Sequence, residues 1–142
     1  MNRVQLETFL TETYEADIDH PWARYPNYQV FRHRNNKKWF ALIMDVPQNK
    51  LGIAGNKIVD IANFKCAPDL IGSLRMEKGF FPAYHMNKSN WITAALDDTA
   101  DDEKIKMLAD MSYELTSTKK VRKSEMFVEA IEIDESSPSN EE

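Results

Sequence analysis

The run Trp39-Phe40-Ala41-Leu42-Ile43-Met44 constrains the fold more than any other segment of this 142-residue chain. A half-buried strand alternates apolar and polar side chains, whereas these residues are apolar on both parities. Such a strand belongs in the middle of a sheet, covered at least in part on both faces. Tyr28 to His33 upstream has strand composition, and Asn35-Asn36 suits a tight turn because Asn tolerates positive φ. The spacing predicts a hairpin of residues 28–33 and 37–46.

A second hairpin is predicted from Phe80-Phe81-Pro82-Ala83-Tyr84-His85, which is short, aromatic and stiff, and from the apolar run Trp91 to Leu96. Met86 to Asn90 has the Asn and Ser content of a turn and places Lys88 at the tip. Between the hairpins, Pro47 to Asn56 reads as a loop and Lys57 to about Lys65 as a strand. His20-Pro21-Trp22-Ala23-Arg24-Tyr25-Pro26 is also a loop, because each proline holds its predecessor extended; Trp22 and Tyr25 would close one end of the core.

Three helices complete the reading. Arg3 to Tyr14 has Asn2 as N-cap with Gln5 as its reciprocal partner, and Val4, Leu6, Phe9, Leu10 and Thr13 give it an apolar side. Pro68 opens a second helix at the first helical position, where a missing N–H costs nothing, and the helix ends near Gly79. Thr99-Ala100-Asp101-Asp102 reads as a capping box for a third, from about Asp101 to Leu115, with Ile105, Leu108, Ala109, Ser112 and Leu115 on one face. The expected fold class is α+β, a two-layer domain with a mainly antiparallel sheet and N- and C-terminal helices packed on it.

With 42% hydrophobic residues the chain has the material for one domain and a real core, placed here at residues 1–117, followed by a polar, largely acidic tail at 118–142. Within the tail, Met126 to Asp134 is apolar enough to be a short edge strand or a partner-docking segment. The first residues lack the apolar core of a signal peptide and no run reaches membrane-spanning length, which points to the cytoplasm. A single cysteine, Cys66, excludes an intramolecular disulfide and any multi-cysteine metal site. Three scattered histidines, His20, His33 and His85, have no ligand spacing, and four glycines leave little for a phosphate-binding loop. No cofactor or metal is expected, and an enzyme is disfavoured. The net charge is −5, but the tail holds seven acids against four bases, so the body, with 14 bases and 16 acids, is close to neutral.

The motifs Phe31-Arg32-His33-Arg34-Asn35-Asn36, Lys37-Lys38-Trp39-Phe40-Ala41, Lys65-Cys66-Ala67-Pro68 and Phe80 to Trp91 occur in an order that resembles the MmcQ/YjbR family. The resemblance runs from the first helix to about Thr116. It implies the fold described for that family, a double-wing DNA-binding type, and with it a DNA partner. This chain departs from the pattern at Asn90, where many relatives carry a histidine before the tryptophan.

Two surfaces are therefore candidates. In the first, the hairpin tips contact the phosphate backbone through Arg32, Arg34, Lys37 and Lys38 on one side, joined by His33, and through Asn87 and Lys88 on the other, giving weak binding without sequence readout. Turns favour Asn and Lys for solvation and geometry alone, which supplies a purely structural account of the same residues. In the second, Lys65, Cys66, Tyr84, His85 and Trp91, with Lys88, form a cleft suited to an anionic or planar small ligand, or to a protein partner. Here too the plain account is strong: Tyr84 and Trp91 as core aromatics, Cys66 as a small buried hydrophobe and His85 as a hydrogen-bonded structural side chain.

Overall fold

The apolar run lies in the middle of a six-stranded antiparallel sheet, in a computed structural model that describes residues 1–117. The tail expected from residue 118, with its candidate strand at 126–134, lies outside the described residues. In chain order the elements are α1 (Arg3–Tyr14), β1 (Asp17–Asp19), β2 (Gln29–Arg32), β3 (Trp39–Pro47), a 3₁₀ turn (Gln48–Leu51), β4 (Ile58–Lys65), α2 (Pro68–Leu74), β5 (Phe80–Pro82), β6 (Trp91–Ala95) and α3 (Asp102–Leu115). The strands are ordered β1-β2-β3-β4-β6-β5, so β6 lies between β4 and β5. This is the expected α+β architecture.

All three helices pack on one face. Leu6 and Leu10 of α1, Ile71 and Leu74 of α2, and Ile105, Leu108 and Ala109 of α3 meet Phe31, Phe40, Ala41, Ile43, Phe64, Ile92 and Ala94 of the sheet. Among the described residues no helix covers the opposite face; irregular chain does, with Trp22, Tyr28, Leu51, Ala83, Tyr84 and Met86 packed on Val30, Trp39, Leu42, Met44, Ile61 and Trp91. A bulge explains how β3 serves both cores. Phe31 pairs with Ala41 and Arg32 with Trp39, leaving Phe40 unopposed, so Phe40 joins Ala41 on the helical face and Trp39 turns to the other.

Local chemistry sets the boundaries. The capping box of α1 forms as expected, with Gln5 N–H donating to Asn2 and Asn2 N–H to Gln5. Pro68 is at the first position of α2, with Ala67 as its cap. That helix stops at Leu74, short of the expected Gly79, and residues 75–78 turn the chain into β5. Gly79 has φ +88°, and a Cβ there would lie 2.5 Å from the backbone nitrogen of Ala100, so the position needs glycine to let β5 pass under the β6–α3 turn. α3 is capped by Asp101, which accepts from Lys104 N–H at 3.0 Å, while Thr99 bonds Asp97 and takes no part in the cap. Val4 and Leu115, assigned to apolar helix sides, are 66% and 40% exposed. The turn of the first hairpin also differs from expectation: Lys37, at φ +64°, takes the left-handed conformation, and Asn36 instead accepts from Lys38 N–H at 2.7 Å.

The C-terminal half of α3 is joined to the sheet by polar groups. Ser112, fully buried, donates to the Phe40 carbonyl at 2.6 Å and accepts from Lys65 N–H at 2.9 Å, bridging β3 and β4 where their ladder ends. One turn later Thr116 meets His33 Nε2 at 2.8 Å, and the imidazole stacks on Tyr113 with ring centroids 4.1 Å apart. From its place in the hairpin tip, His33 is expected to be one of the exposed cations. It is buried instead, and burial, offset in part by a hydrogen bond to the Tyr113 backbone, pushes its pKa down to about 4.

Two outcomes follow from this junction. Ser112→Ala strands a buried N–H and a buried carbonyl together and should lower unfolding free energy by about 1–3 kcal/mol in urea titrations; a change under about 0.5 kcal/mol would show that the bridge is dispensable. Because the folded pKa of His33 lies below its unfolded value, the unfolded chain binds more protons between pH 6.5 and 4, and stability falls as pH falls through that window. Relative to His33→Gln, the wild-type chain should lose about 2 kcal/mol more on going from pH 7 to 5; equal losses would contradict a buried neutral imidazole.

Candidate functional site

Both hairpin connections leave the same end of the sheet, where Arg32 faces Trp39 and Lys65 faces Trp91, but they take different courses. Residues 33–38 form a tight turn closed by His33 N–H to the Lys38 carbonyl at 2.9 Å, and tied to the end of α3 by Asn36 Nδ2 donating to the Thr116 carbonyl at 3.0 Å. Residues 83–90 fold back over the open face of the sheet, where Ala83, Tyr84 and Met86 join its apolar cluster. The ladder of the second hairpin ends at Pro82 and Ile92.

What holds the 83–90 segment down is a polar pair from the middle of the sheet. Asn63 of β4 and Thr93 of β6 are directly opposite one another and are 1% and 0% exposed. Asn63 Nδ2 donates to the Tyr84 carbonyl at 2.9 Å, Tyr84 N–H donates to Thr93 Oγ1 at 2.9 Å, and the Thr93 hydroxyl donates to Asn63 Oδ1. Both backbone groups of Tyr84 are thus satisfied by side chains, as a neighbouring strand would satisfy them. Lys88 then reaches back across the loop, its Nζ donating to the Ala83 carbonyl at 2.9 Å, and Asn87 Oδ1 accepts from Ser89 N–H at 2.8 Å in an Asx-type turn. Between them His85 has φ +59° and its ring lies 4.0 Å from that of Tyr84.

The cations of the first tip face carboxylates. Arg32 Nε is 2.6 Å from Asp19 Oδ2, Arg34 lies 3.6 Å from Asp17 and 3.8 Å from Glu15, and Lys37 Nζ is 3.3 Å from Asp17. Arg32 also donates to the Lys37 carbonyl at 2.9 Å and lies over the Trp39 ring at 5.4 Å. Three acids supplied by the α1–β1 segment therefore stand against three bases of the tip. β1, unforeseen in the sequence, is the short acidic edge strand Asp17-Ile18-Asp19 that brings two of those carboxylates into place beside β2. Lys38 is half-buried at the end of the same turn.

The residues grouped as a cleft separate into three environments. Cys66 is on the helical face, 1% exposed, and burial pushes its thiol pKa up to about 11. Lys65 and Trp91 are cross-strand partners at the end of β4 and β6, 8% and 3% exposed, with Trp91 in the open-face cluster beneath the 83–90 segment. Tyr84, His85 and Lys88 line a concavity of about 360 Å³, whose remaining walls include Lys50 and Leu51 of the 3₁₀ turn and Phe81 of β5. Lys50 and Leu51 have no sequence signal linking them to residues 81–88; only the fold-back of the loop brings the two segments together. Among the described residues no group of three or more His, Cys, Asp or Glu is placed to hold a metal ion, and no helix is long and apolar enough to cross a membrane.

Comparison with known proteins agrees with this architecture. The protein YyaQ of Bacillus subtilis (strain 168) is 40% identical over 116 residues, which span 82% of this chain and 98% of YyaQ. A protein from Pseudomonas syringae is similar in its crystal structure, with TM-score 0.80 and 46% identity over 82% of this chain and 100% of that one. Its solution NMR structure gives a TM-score of 0.77 at 44% identity, covering 86% and 98%. Protein DR2400 of Deinococcus radiodurans shares the fold at TM-score 0.63 and 21% identity, over 92% of this chain and 89% of that one. The YjbR family model matches residues 11–115, from the second half of α1 to the last residue of α3. With residues 11–115 matched by the family model and YyaQ 40% identical over 98% of its own length, the chain belongs to the YjbR family.

Proposed function

We propose that the protein is a cytoplasmic, non-enzymatic binding module whose site is the pocket between the 3₁₀ turn and residues 81–88, and whose ligand is a small anion. The observation that carries this reading is the convergence of Lys50, His85 and Lys88 on one concavity of about 360 Å³. Two ammonium groups lining one concavity raise the local potential well above that of a near-neutral body, and the volume is within the range of small-molecule sites. The backbone supports it as well. A non-glycine residue at positive φ persists only where its surroundings over-determine it, and the Tyr84 clamp and the Lys88–Ala83 bond do this for His85.

The competing reading, implied by the resemblance, is weak DNA-backbone binding through Arg32, Arg34, Lys37, Lys38, Asn87 and Lys88. The exposure of Arg34 and Lys37, 64% and 66%, favours it. Weighing against it, Arg32, Arg34 and Lys37 already face Asp19, Asp17 and Glu15, so phosphate contact there would exchange one anion for another and release few counterions.

Thermal unfolding against a panel of small phosphates and carboxylates, beside anisotropy with labelled duplex over a salt series, separates the two. The expected result is stabilisation by at least one small anion, about 2–3 kcal/mol at a hundredfold excess over its dissociation constant. The combined Lys50→Ala and His85→Ala variant should lose that stabilisation, and Arg34→Glu with Lys37→Glu should keep it. Micromolar duplex binding that the charge-reversal variant loses, with no small anion stabilising the fold, would overturn the pocket reading.

A further inference from the structure

We infer that the ligand of this pocket is an aromatic ring carrying a phosphate or carboxylate at its edge, up to about the size of a nucleoside monophosphate. The inference rests on the pocket reading above and adds the chemical class. It follows from the two kinds of wall the site presents. Lys50 and Lys88 supply charge, while Phe81, Tyr84 and Leu51 supply apolar surface.

An inorganic anion would meet the ammonium groups and leave the rings wetted. A purely apolar occupant would take water from two lysines and return no counter-charge, which is costly. Only an occupant with both features satisfies both walls. The arrangement of the rings narrows this further. His85 lies 4.0 Å from Tyr84, centroid to centroid, so one side of the tyrosine is already occupied by the imidazole. Phe81 is half-buried on the edge strand β5, where alternation from the core residue Phe80 turns it to the pocket side. Phe81 is thus the ring against which a ligand ring stacks, with Tyr84 and Leu51 lining the same concavity.

The charged end has its own division of labour. Lys88 Nζ is held by the Ala83 carbonyl at 2.9 Å, a bond that spans Tyr84 and His85 and fixes their loop. Lys88 therefore contributes field and shape, and Lys50, an exposed residue of the 3₁₀ turn, is the cation that moves to the anion.

Titration calorimetry of the full chain with phenyl phosphate and adenosine 5′-monophosphate, against inorganic phosphate and ribose 5-phosphate, tests the class. At least one ring-bearing anion is expected to bind ten times or more tighter than its ringless counterpart, which corresponds to about 1.4 kcal/mol. Phe81→Leu, which keeps an apolar side chain on the edge strand, should erase that preference while leaving the binding of the ringless anions within about twofold. Lys50→Ala should weaken all the anions. Equal binding of ring-bearing and ringless anions would overturn the aromatic class and leave the anion pocket standing; binding of none of the four, nor of benzoate or acetate, would remove both.

Discussion

The candidate functional face of this protein depends on how the backbone of Tyr84 is satisfied. The β5–β6 ladder ends at Pro82 and Ile92, so the next residues have no strand to pair with. In a longer hairpin they would pair with each other and project; here Asn63 and Thr93, opposite one another in the sheet, take both the N–H and the C=O of Tyr84. Buried polar side chains in a central strand cost free energy unless they are paired, and these two are paired with each other and with the loop. The same contacts lower Ala83, Tyr84 and Met86 onto the open-face core, cover Trp91, and bring Tyr84 and His85 to the 3₁₀ turn.

Electrostatics divides the two ends of the candidate surface in the same way. On the first hairpin, cations and carboxylates alternate at distances of 2.6–3.8 Å, an arrangement that holds β1 to β2 and the turn and leaves little net field. Exposed pairs of this kind each contribute about 0–1 kcal/mol, so their effect lies in cancelling charge more than in stability. In the pocket the bases are Lys50, His85 and Lys88, and no carboxylate is among the described residues lining it.

Much of the fold was legible because it is written locally. The Asn2–Gln5 capping box, Pro68 at a helix start, the doubly apolar β3 and the Ile105–Ser112 stripe are short-range patterns with a physical cause, and each forms as read. The departures come from long-range partners. Three residues of acidic strand at Asp17–Asp19 have no strand signal until Arg32 and Lys37 are beside them. His33 looks like a tip cation until Tyr113 and Thr116 bury it. Asn63 and Thr93 are unremarkable in sequence, and their role appears only with the β4–β6 register. For the same reason Lys50 carries no sequence signal, being some thirty residues from the loop it faces, and Cys66, adjacent to Lys65 in sequence, is on the helical face, across the sheet from Tyr84 and Trp91.

The most direct measurement is a pair of amide chemical-shift titrations of isotope-labelled protein, one with adenosine 5′-monophosphate and one with a short DNA duplex. The nucleotide is expected to shift resonances at Lys50, Leu51, Phe81, Tyr84 and His85, while the duplex at physiological salt leaves residues 32–38 in place. Shifts confined to residues 32–38 and Lys88 with the duplex, and none around the pocket with the nucleotide, would contradict the pocket reading.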